Sequence, residues 1–303
     1  MTRTPQISFL ADSRRLHLQD GPIDLIVEAC GSEAQVRAAY EASARRFTGL
    51  LDELCGELPL LRQAADPKRS LLQGTVARRM YAAVEPFATD HFITPMAAVA
   101  GSVAEEILDA MLHKSQLERA YVNNGGDIAL HLADGQCFTV GLADRPDAPG
   151  LIRTMIIDSN DPTRGVATSG RHGRSFSLGI ADAVTVLAPT ASQADAAATI
   201  IANAVDLPGH PAIVRCPAHD LQPDSDLGPR LVTREVGRLL ASEIGEALET
   251  GADSARKLLA AGLIDGAALR LHGEMIIVAM RAIDVSGPPP PLGSNATEGA
   301  MHV

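Results

Sequence analysis

Residues 165–206 constrain the fold of this chain more than any other stretch. They contain a Gly/Ser/Thr-rich turn at 166–170, a run of β-branched and apolar residues at 183–187, and an alanine-rich run from about 191 to 205. Alanine favours a helix, whereas Val and Thr in a short run favour a strand. The segment therefore predicts a turn, a strand and a helix in that order.

The start of the predicted helix carries polar residues at informative spacings. Thr190 and Gln193 stand three residues apart, as in a capping box that satisfies backbone N–H groups. Asp195 and Thr199 are four residues apart and share one helix face. A carboxylate and a hydroxyl suit a hard cation, and the positive end of a helix attracts phosphate oxygens. The structural alternative is that Asp stabilises the helix start by itself and Thr bonds to the preceding turn.

Composition and charge exclude several classes of protein. The 303 residues can build one large domain or two moderate ones, and 46% hydrophobic with 21% charged residues is typical of a soluble globular protein. The net charge of −11, with no run rich in Lys or Arg, argues against a nucleic-acid partner. The four cysteines are too scattered for the CxxC spacing of a metal site.

The sequence gives no sign of export or of a membrane segment. The first 18 residues contain neither an apolar segment typical of a signal peptide nor a lipobox cysteine. No apolar run reaches the roughly 18 residues that a membrane span requires. We therefore expect a cytoplasmic protein with no membrane partner.

The first third of the chain predicts a hairpin followed by helices. Strands are expected at 7–10, 15–18 and 23–29, with a hairpin turn at 19–22. Ser32 and Gln35 form a second capping box, which predicts a helix from there to about residue 54. An irregular connection at 57–70, a helix at 71–84 and a long helix at 96–114 follow. Small residues on the last helix allow a close backbone approach.

The remaining chain alternates strands and helices. Strands at 119–123, 128–132 and 137–141 predict an antiparallel meander with a corner at 123–127. A loop at 146–150, a strand at 152–157 and a surface segment at 210–228 come next, and then a helix at 235–261, in one piece or broken near Gly251. A strand pair at 264–271 and 274–281 turns at His272 and Gly273. Residues 1–285 are expected to form a single domain, and 286–303 a disordered tail.

Four short blocks occur in a characteristic order: VNNGGDI at 122–128, GVATSG at 165–170, AVTVL at 183–187 and ADAAAT at 194–199. In this order they resemble the ApbE-like superfamily, whose best-known members are FAD:protein FMN transferases. The resemblance covers about residues 122–205, with a weaker match back to Met96. It implies two tandem T-fold-like units with antiparallel sheets backed by helices, within the α+β class that the alternation of elements indicates.

Two of these blocks contain candidate nucleotide-binding residues. Paired glycines after a strand allow positive φ and let backbone N–H groups approach a ligand, although a hairpin turn capped by Asn and Asp has the same sequence. Hydroxyl and N–H groups at 168–170 suit phosphate or ribose, although turns use the same residues for their own backbone. The resemblance implies a flavin nucleotide pocket lined by seven residues: Asn124, Gly125, Gly126, Asp127, Thr168, Ser169 and Gly170.

The Asp195/Thr199 pair, in the fourth block, is a candidate metal site. The resemblance implies that both bind a divalent cation, Mg²⁺ by preference, which bridges to the FAD diphosphate. It also implies a backbone carbonyl ligand at the start of the helix at 96–114, which places it at Ala100 or a neighbour. Because Mg²⁺ keeps waters and uses substrate phosphates, two side-chain oxygens suffice.

The chain departs from the transferase pattern in one interval. The transferases carry a segment like H-I-(I/L)-D-P-x-T-G between the second and third blocks, and its histidine is thought to assist transfer. Residues 171–182 read RHGRSFSLGIAD instead. His172 follows the TSG block directly and does not correspond to the missing histidine. It is a catalytic candidate, and the alternative interpretation is that it is an ordinary solvent-exposed histidine in a loop. The transferases usually have a K-G pair at the start of the earlier helix, and this chain has Ala100-Gly101 there. Only 3% of its residues are aromatic, which leaves few rings to stack on a flavin.

Three functions remain open from the sequence. The first is binding of FAD or a related nucleotide cofactor through a divalent metal, with or without an unidentified enzymatic step. The second is Mg²⁺-dependent transfer of FMN to a Thr or Ser of a partner protein. The third is a non-catalytic accessory subunit whose pocket is vestigial.

Overall fold

A nine-stranded antiparallel sheet organises the residues that the computed structural model describes, namely 4–145, 148–278 and 300–302. In spatial order its strands are β1 (Gln6–Phe9), β2 (Leu16–Asp20), β3 (Ile23–Cys30), β4 (Arg119–Asn124), β5 (Asp127–Leu132), β8 (Gly165–Ser169), β9 (Ala183–Ala188), β12 (Gly266–Leu271) and β13 (Glu274–Val278). Two smaller sheets comprise β6 (Cys137–Arg145), β7 (Ala148–Asp158) and β14 (Ala300–His302), and β10 (Ile213–Pro217) with β11 (Leu231–Val236).

Seven α-helices accompany the sheets in the described part of the chain. They are α1 (Glu33–Phe47), α2 (Leu50–Leu61), α3 (Thr75–Val84), α4 (Val99–Leu112), α5 (Ala191–Ala204), α6 (Ala218–Leu221) and α7 (Ala241–Ala260). Short 3-10 helices at Glu85–Phe87 and Pro95–Ala98 precede α4. The predicted helices at 71–84 and 96–114 are thus present, with starts at Thr75 and, after the 3-10 turn, at Val99.

The sheet consists of two hairpin–helix–hairpin units. In the first unit β2–β3 and β4–β5 flank helices α1–α4, and in the second β8–β9 and β12–β13 flank α5–α7. Antiparallel pairing of Ile128 with Val166 joins the two units into one sheet. This arrangement confirms the predicted α+β class, with antiparallel sheets backed by helices in two tandem units.

The two faces of the large sheet are covered differently. Alternation of buried and half-buried residues along β2 and β3 directs Leu18 and Leu25 towards α1, α2 and α4. The second unit packs Val186 and Leu269 against α5 and α7 in the same way. On the opposite face, Phe138 of β6 contributes to a separate apolar cluster with strands of the large sheet. Burial on both faces explains why β9 is apolar at every position except Thr185.

Helices α4 and α5 approach each other closely. A Cβ atom added to Gly101 would lie 2.3 Å from the carbonyl oxygen of Ala191. A Cβ on Gly165 would lie 2.1 Å from the carbonyl oxygen of Thr190, so β8 is equally close to the start of α5. The expectation of a close backbone approach through small residues of the helix at 96–114 is confirmed.

The predicted single helix from Ser32 to about residue 54 is wrong, since the chain forms two helices there. Gly49 has φ of 86°, a left-handed conformation that ends α1 and starts α2. The Ser32 side chain makes no cap hydrogen bond, and the amide oxygen of Gln35 accepts instead from the N–H of Gln116. Helix α2 continues through Pro59 to residue 61, into the segment expected to be irregular.

Two predictions near the site are corrected as well. The expected turn at 166–170 is strand β8, because Val166 and Ala167 are fully buried and pair with β9. The expected three-stranded meander has only two members, β4 and β5, whose turn is at the predicted corner. Strand β6 leaves this sheet because β8 occupies the free edge of β5. It pairs with β7, which begins at Ala148, inside the expected loop at 146–150.

The C-terminal part follows its prediction with changed boundaries. Helix α7 begins at Ala241 because residues up to Val236 belong to β11, and it passes through Gly251 unbroken. Glycine is required there because a Cβ would lie 2.3 Å from Cγ2 of Val205. The expected surface segment at 210–228 contains β10 and α6, and β12 and β13 turn at His272–Gly273 as predicted. The domain limit at 285 and the tail at 286–303 fall outside the described residues, apart from β14.

Candidate functional site

The Asp195 side chain connects α5 to the start of α4. Its Oδ2 atom accepts a hydrogen bond of 3.0 Å from the backbone N–H of Gly101. The preceding carbonyl oxygen, that of Ala100, accepts a hydrogen bond of 3.2 Å from Nδ2 of Asn124. The structure therefore brings together Ala100, Asn124 and Asp195, which are all sequence-predicted site residues from three different elements.

A second set of predicted residues meets across β4, β5 and β8. Gly125 and Gly126 have φ of 67° and 108°, so the turn between β4 and β5 uses the conformational freedom that was predicted. Asp127 follows the turn, and its Oδ1 accepts a hydrogen bond of 3.3 Å from the N–H of Thr168. The Thr168 hydroxyl in turn lies 2.8 Å from that of Thr185. The first two blocks of the sequence pattern are thus adjacent in space.

The two sets are coupled electrostatically through Asp127 and Asp195. Both side chains are partly buried. Burial raises the pKa of the Asp195 carboxyl to about 7, and the negative charge of Glu105 acts in the same direction. Burial, followed by the negative charge of Asp195, raises the pKa of Asp127 well above its usual value. Two carboxylates in this arrangement disfavour simultaneous ionisation unless a cation is present.

The start of α5 is satisfied by side chains. Thr190 accepts a hydrogen bond of 3.3 Å from the N–H of Gln193, as predicted. The other half of the expected capping box does not form, since the buried side-chain oxygen of Gln193 has no hydrogen-bond partner in the described part of the chain. Oε1 of Glu105 accepts from the N–H of Ser192 at 2.5 Å, and its Oε2 lies 3.1 Å from Nε of Arg79. These N–H groups are therefore committed within the protein, contrary to the expectation that they attract phosphate. Sequence reasoning missed Glu105 because it is 87 residues away from Ser192.

Thr199, Ser169 and Gly170 complete the predicted set. Thr199 lies one helical turn after Asp195 and is partly buried, as is Ser169. A Cβ on Gly170, whose φ is 156°, would lie 2.5 Å from the carbonyl oxygen of Asp182. Among the described residues no group of three or more His, Cys, Asp and Glu side chains is placed to hold a metal. A cation here would therefore depend on carboxylate, hydroxyl and carbonyl oxygens.

His172 lies in the loop after β8, with 33% of its side chain exposed. Its Nε2 is 3.4 Å from Oδ1 of Asp182. Asp182 also receives two hydrogen-bonding contacts from Arg171, at 2.9 and 2.6 Å, and one from the N–H of His272. In the described structure His172 makes its polar contact with Asp182, and not with Asp127 or Asp195.

Arg174 was missed by sequence reasoning, although it is in the same loop. Its guanidinium lies against the backbone of Gly125, where a Cβ would be 1.8 Å from Nη2. Nη1 donates to the carbonyl oxygen of Pro22 at 3.4 Å, and the positive charge favours the ionised form of Asp127. The sequence shows only that Arg174 is a basic residue in a short loop. Its position over Gly125 depends on the β2–β3 turn, which is distant in the chain.

The described residues contain no helix that combines the length and the apolar character needed to cross a membrane.

Comparison with known proteins gives one family and several relatives. A family model described as AbpE bacteria matches residues 7–277. The UPF0280 protein of Methanopyrus kandleri is 37% identical over 185 residues, which cover 59% of this chain and 69% of that protein. UPF0280 proteins of Methanosarcina acetivorans and Methanothermobacter thermautotrophicus are 39% and 42% identical over 38% of this chain. The chain matches 44% of the length of each of these two relatives.

A solved structure is also similar, the flavin transferase ApbE from Vibrio cholerae in a mutant form. It has a TM-score of 0.38 and 13% sequence identity, and the match covers 88% of this chain and 97% of that one. The family match carries the assignment, because it extends over nearly all of the described residues. The chain belongs to the family described as AbpE bacteria, a divergent ApbE-like family.

Proposed function

We propose that the protein binds FAD or a related flavin nucleotide through a divalent cation, Mg²⁺ by preference, at the meeting point of α4, α5 and the β4–β5 turn. The cation ligands would be Asp195, Thr199 and the carbonyl oxygen of Ala100. The observation that carries the proposal is the partly buried Asp195 carboxylate at the start of α4, whose negative charge also acts on the partly buried Asp127.

The donor set fits a hard cation. Carboxylate, hydroxyl and carbonyl oxygens are the ligands that Mg²⁺ prefers, and Mg²⁺ fills its remaining positions with waters and substrate phosphates. Burial raises the pKa of both carboxyls, so a nearby positive charge would stabilise the ionised forms that are needed for coordination. When bound, the ion supplies the positive charge that a diphosphate requires in an acidic protein.

The surrounding residues hold the proposed ligands in place. The N–H of Gly101 orients the Asp195 carboxylate, and the Asn124 amide orients the Ala100 carbonyl, which has a second lone pair available. Asp127 is held by the N–H of Thr168, so its position is determined by β8. Of the remaining predicted pocket residues, Ser169 ends this strand and Gly170 follows it. Such fixed hydrogen bonds reduce the ordering cost of binding a ligand.

Calorimetry tests this proposal directly. FAD is titrated into the protein in buffer with Mg²⁺ and, separately, in buffer with EDTA. We expect binding in Mg²⁺ and a loss of at least ~10-fold in affinity, about 1.4 kcal/mol, in EDTA. Equal affinity in both buffers would contradict a metal-bridged site, and no binding in either would favour the accessory-subunit alternative.

One observation favours a transfer step as the second candidate function. The imidazole of His172 is partly solvent-accessible and its Nε2 lies 3.4 Å from Oδ1 of Asp182, which would orient the ring and leave the other ring nitrogen for proton transfer. Incubation with FAD, Mg²⁺ and candidate acceptor proteins, followed by mass spectrometry of Thr- and Ser-containing peptides, separates transfer of FMN from binding. A covalent FMN adduct on an acceptor would establish the transferase, and FAD recovered intact would leave binding as the function.

A further inference from the structure

Most of the backbone donors that could meet an anion at this site are already used within the protein. The N–H of Gly126 donates to Oδ1 of Asn123 at 2.8 Å. Those of Thr168 and Gly101 donate to Asp127 and Asp195. At the start of α5, the N–H groups of Ser192 and Gln193 are likewise used. An anionic ligand would therefore need a side-chain cation in addition to any metal ion.

Two arginines near the site are committed to carboxylates. Arg171 contacts Asp182 through two nitrogen atoms. Arg79 contacts Glu105 at 3.1 Å and two further acidic residues of α4 at 2.9 and 2.6 Å. These guanidinium groups hold the walls of the site together and are not available to a ligand.

Arg174 differs from both. Within the described ranges it forms no ion pair shorter than 4 Å, and its hydrogen bond to Pro22 is long, at 3.4 Å. The side chain is exposed, so it can turn towards a ligand with little loss of packing or hydration. Its guanidinium nevertheless lies directly over Gly125, at the turn that leads into Asp127.

We propose that Arg174 binds a phosphate group of the nucleotide from its position over Gly125, at the turn between β4 and β5. This inference rests on the proposed function and names the residue that recognises the anionic part of its ligand. A guanidinium matches phosphate oxygens with two parallel N–H donors, which an ammonium group does not. In a protein with a net charge of −11, it also offsets the repulsion of a polyanionic ligand.

The test compares Arg174→Gln with Arg45→Gln, a control that removes an exposed arginine from α1. FAD binding in Mg²⁺ is measured by calorimetry between 50 and 300 mM salt, on the order of the range where screening changes markedly. We expect Arg174→Gln to weaken binding at least ~10-fold at low salt and to flatten the salt dependence. Arg174→Lys should recover only part of the affinity, and Arg45→Gln should bind like the unsubstituted protein.

An unchanged FAD affinity in Arg174→Gln would overturn the inference while leaving the proposed function standing. A weakened affinity with an unchanged salt dependence would also overturn it. The affinity would then depend on the packing of the Arg174 side chain and not on an interaction of its charge with phosphate. If the unsubstituted protein binds no FAD, the proposed function fails, and inorganic pyrophosphate with Mg²⁺ then decides the role of Arg174. Weaker pyrophosphate binding in Arg174→Gln supports the role; equal binding, or none by either protein, refutes it.

Discussion

The Asp195 carboxylate accepts a hydrogen bond of 3.0 Å from the backbone N–H of Gly101, so a side chain on α5 caps the first turn of α4. The two helices belong to different hairpin–helix–hairpin units. Next to this bond, the backbone of Gly101 lies against that of Ala191 without an intervening side chain. The contact that joins the two units is therefore also the contact that positions the proposed cation ligand.

Gly101→Ala should destabilise the fold. Its Cβ would lie 2.3 Å from a backbone carbonyl oxygen, so the two helices would have to separate. Overpacking of this kind costs roughly 1–3 kcal/mol. Gly245→Ala is the matched control, because this glycine is exposed on α7 with nothing within 4 Å of its added Cβ. That substitution should raise the free energy of unfolding by about 0.5–1 kcal/mol in urea denaturation. Equal effects of both variants would show that α4 and α5 are not closely packed.

Asp195→Asn should stabilise the ligand-free protein at pH 8. The folded protein retains a proton on Asp195 up to a pKa of about 7, whereas the unfolded chain releases it near 3.8. The free energy of unfolding of the unsubstituted protein therefore falls as the pH rises from about 4 to about 7. Asparagine removes this loss, so the difference between the two proteins should be largest at pH 8 and small at pH 4.

Urea denaturation in EDTA at these two pH values measures the difference. Glu41→Gln, on the exposed face of α1, is the control for removing a carboxylate elsewhere. A stability difference that does not change with pH would mean that Asp195 is not held in an environment that disfavours its charge.

Local sequence patterns predicted those elements whose structure is determined by residues close to them in the chain. Thr190 capped α5 as expected, and alternation of apolar residues gave β2 and β3 their buried faces. The resemblance also predicted that Ala100, Asn124 and Asp195 belong to one site, and the structure brings them together, although their roles in binding stay a prediction.

Features that depend on distant contacts were not predictable. Residues 166–169 have the composition of a turn and form a strand only because β5 and β9 offer free edges on both sides. The cap that Glu105 gives to α5 joins residues 87 positions apart. Arg174 reaches the site from a loop whose composition indicates only exposure. In each case a tertiary contact, which no local pattern encodes, determined the outcome.

Gly49→Ala tests the break between α1 and α2, which the sequence did not predict. Nothing lies within 4 Å of an added Cβ, so the expected cost comes only from φ of 86°. We expect a destabilisation of about 1 kcal/mol, and roughly half of it for Gly49→Asn, because Asn tolerates the left-handed region better. Thermal or urea unfolding measures both. A stabilised Gly49→Ala would indicate that α1 and α2 can join into the continuous helix that was predicted.

Asp195→Ala and His172→Ala together test the location of the site. If Asp195 is a cation ligand, its loss should weaken FAD binding in Mg²⁺ at least ~10-fold, about 1.4 kcal/mol. The fold should survive for two reasons. The ionised Asp195 carboxylate is itself unfavourable in its buried position, and the hydrogen bond by which it caps α4 contributes only about 1 kcal/mol to stability. His172 contacts Asp182 and not the two carboxylates, so His172→Ala should bind FAD normally even if it abolishes a turnover step. Binding lost in His172→Ala and kept in Asp195→Ala would place the site at the Asp182 loop. Normal binding by both variants would leave the carboxylate pair without a role in the cofactor site.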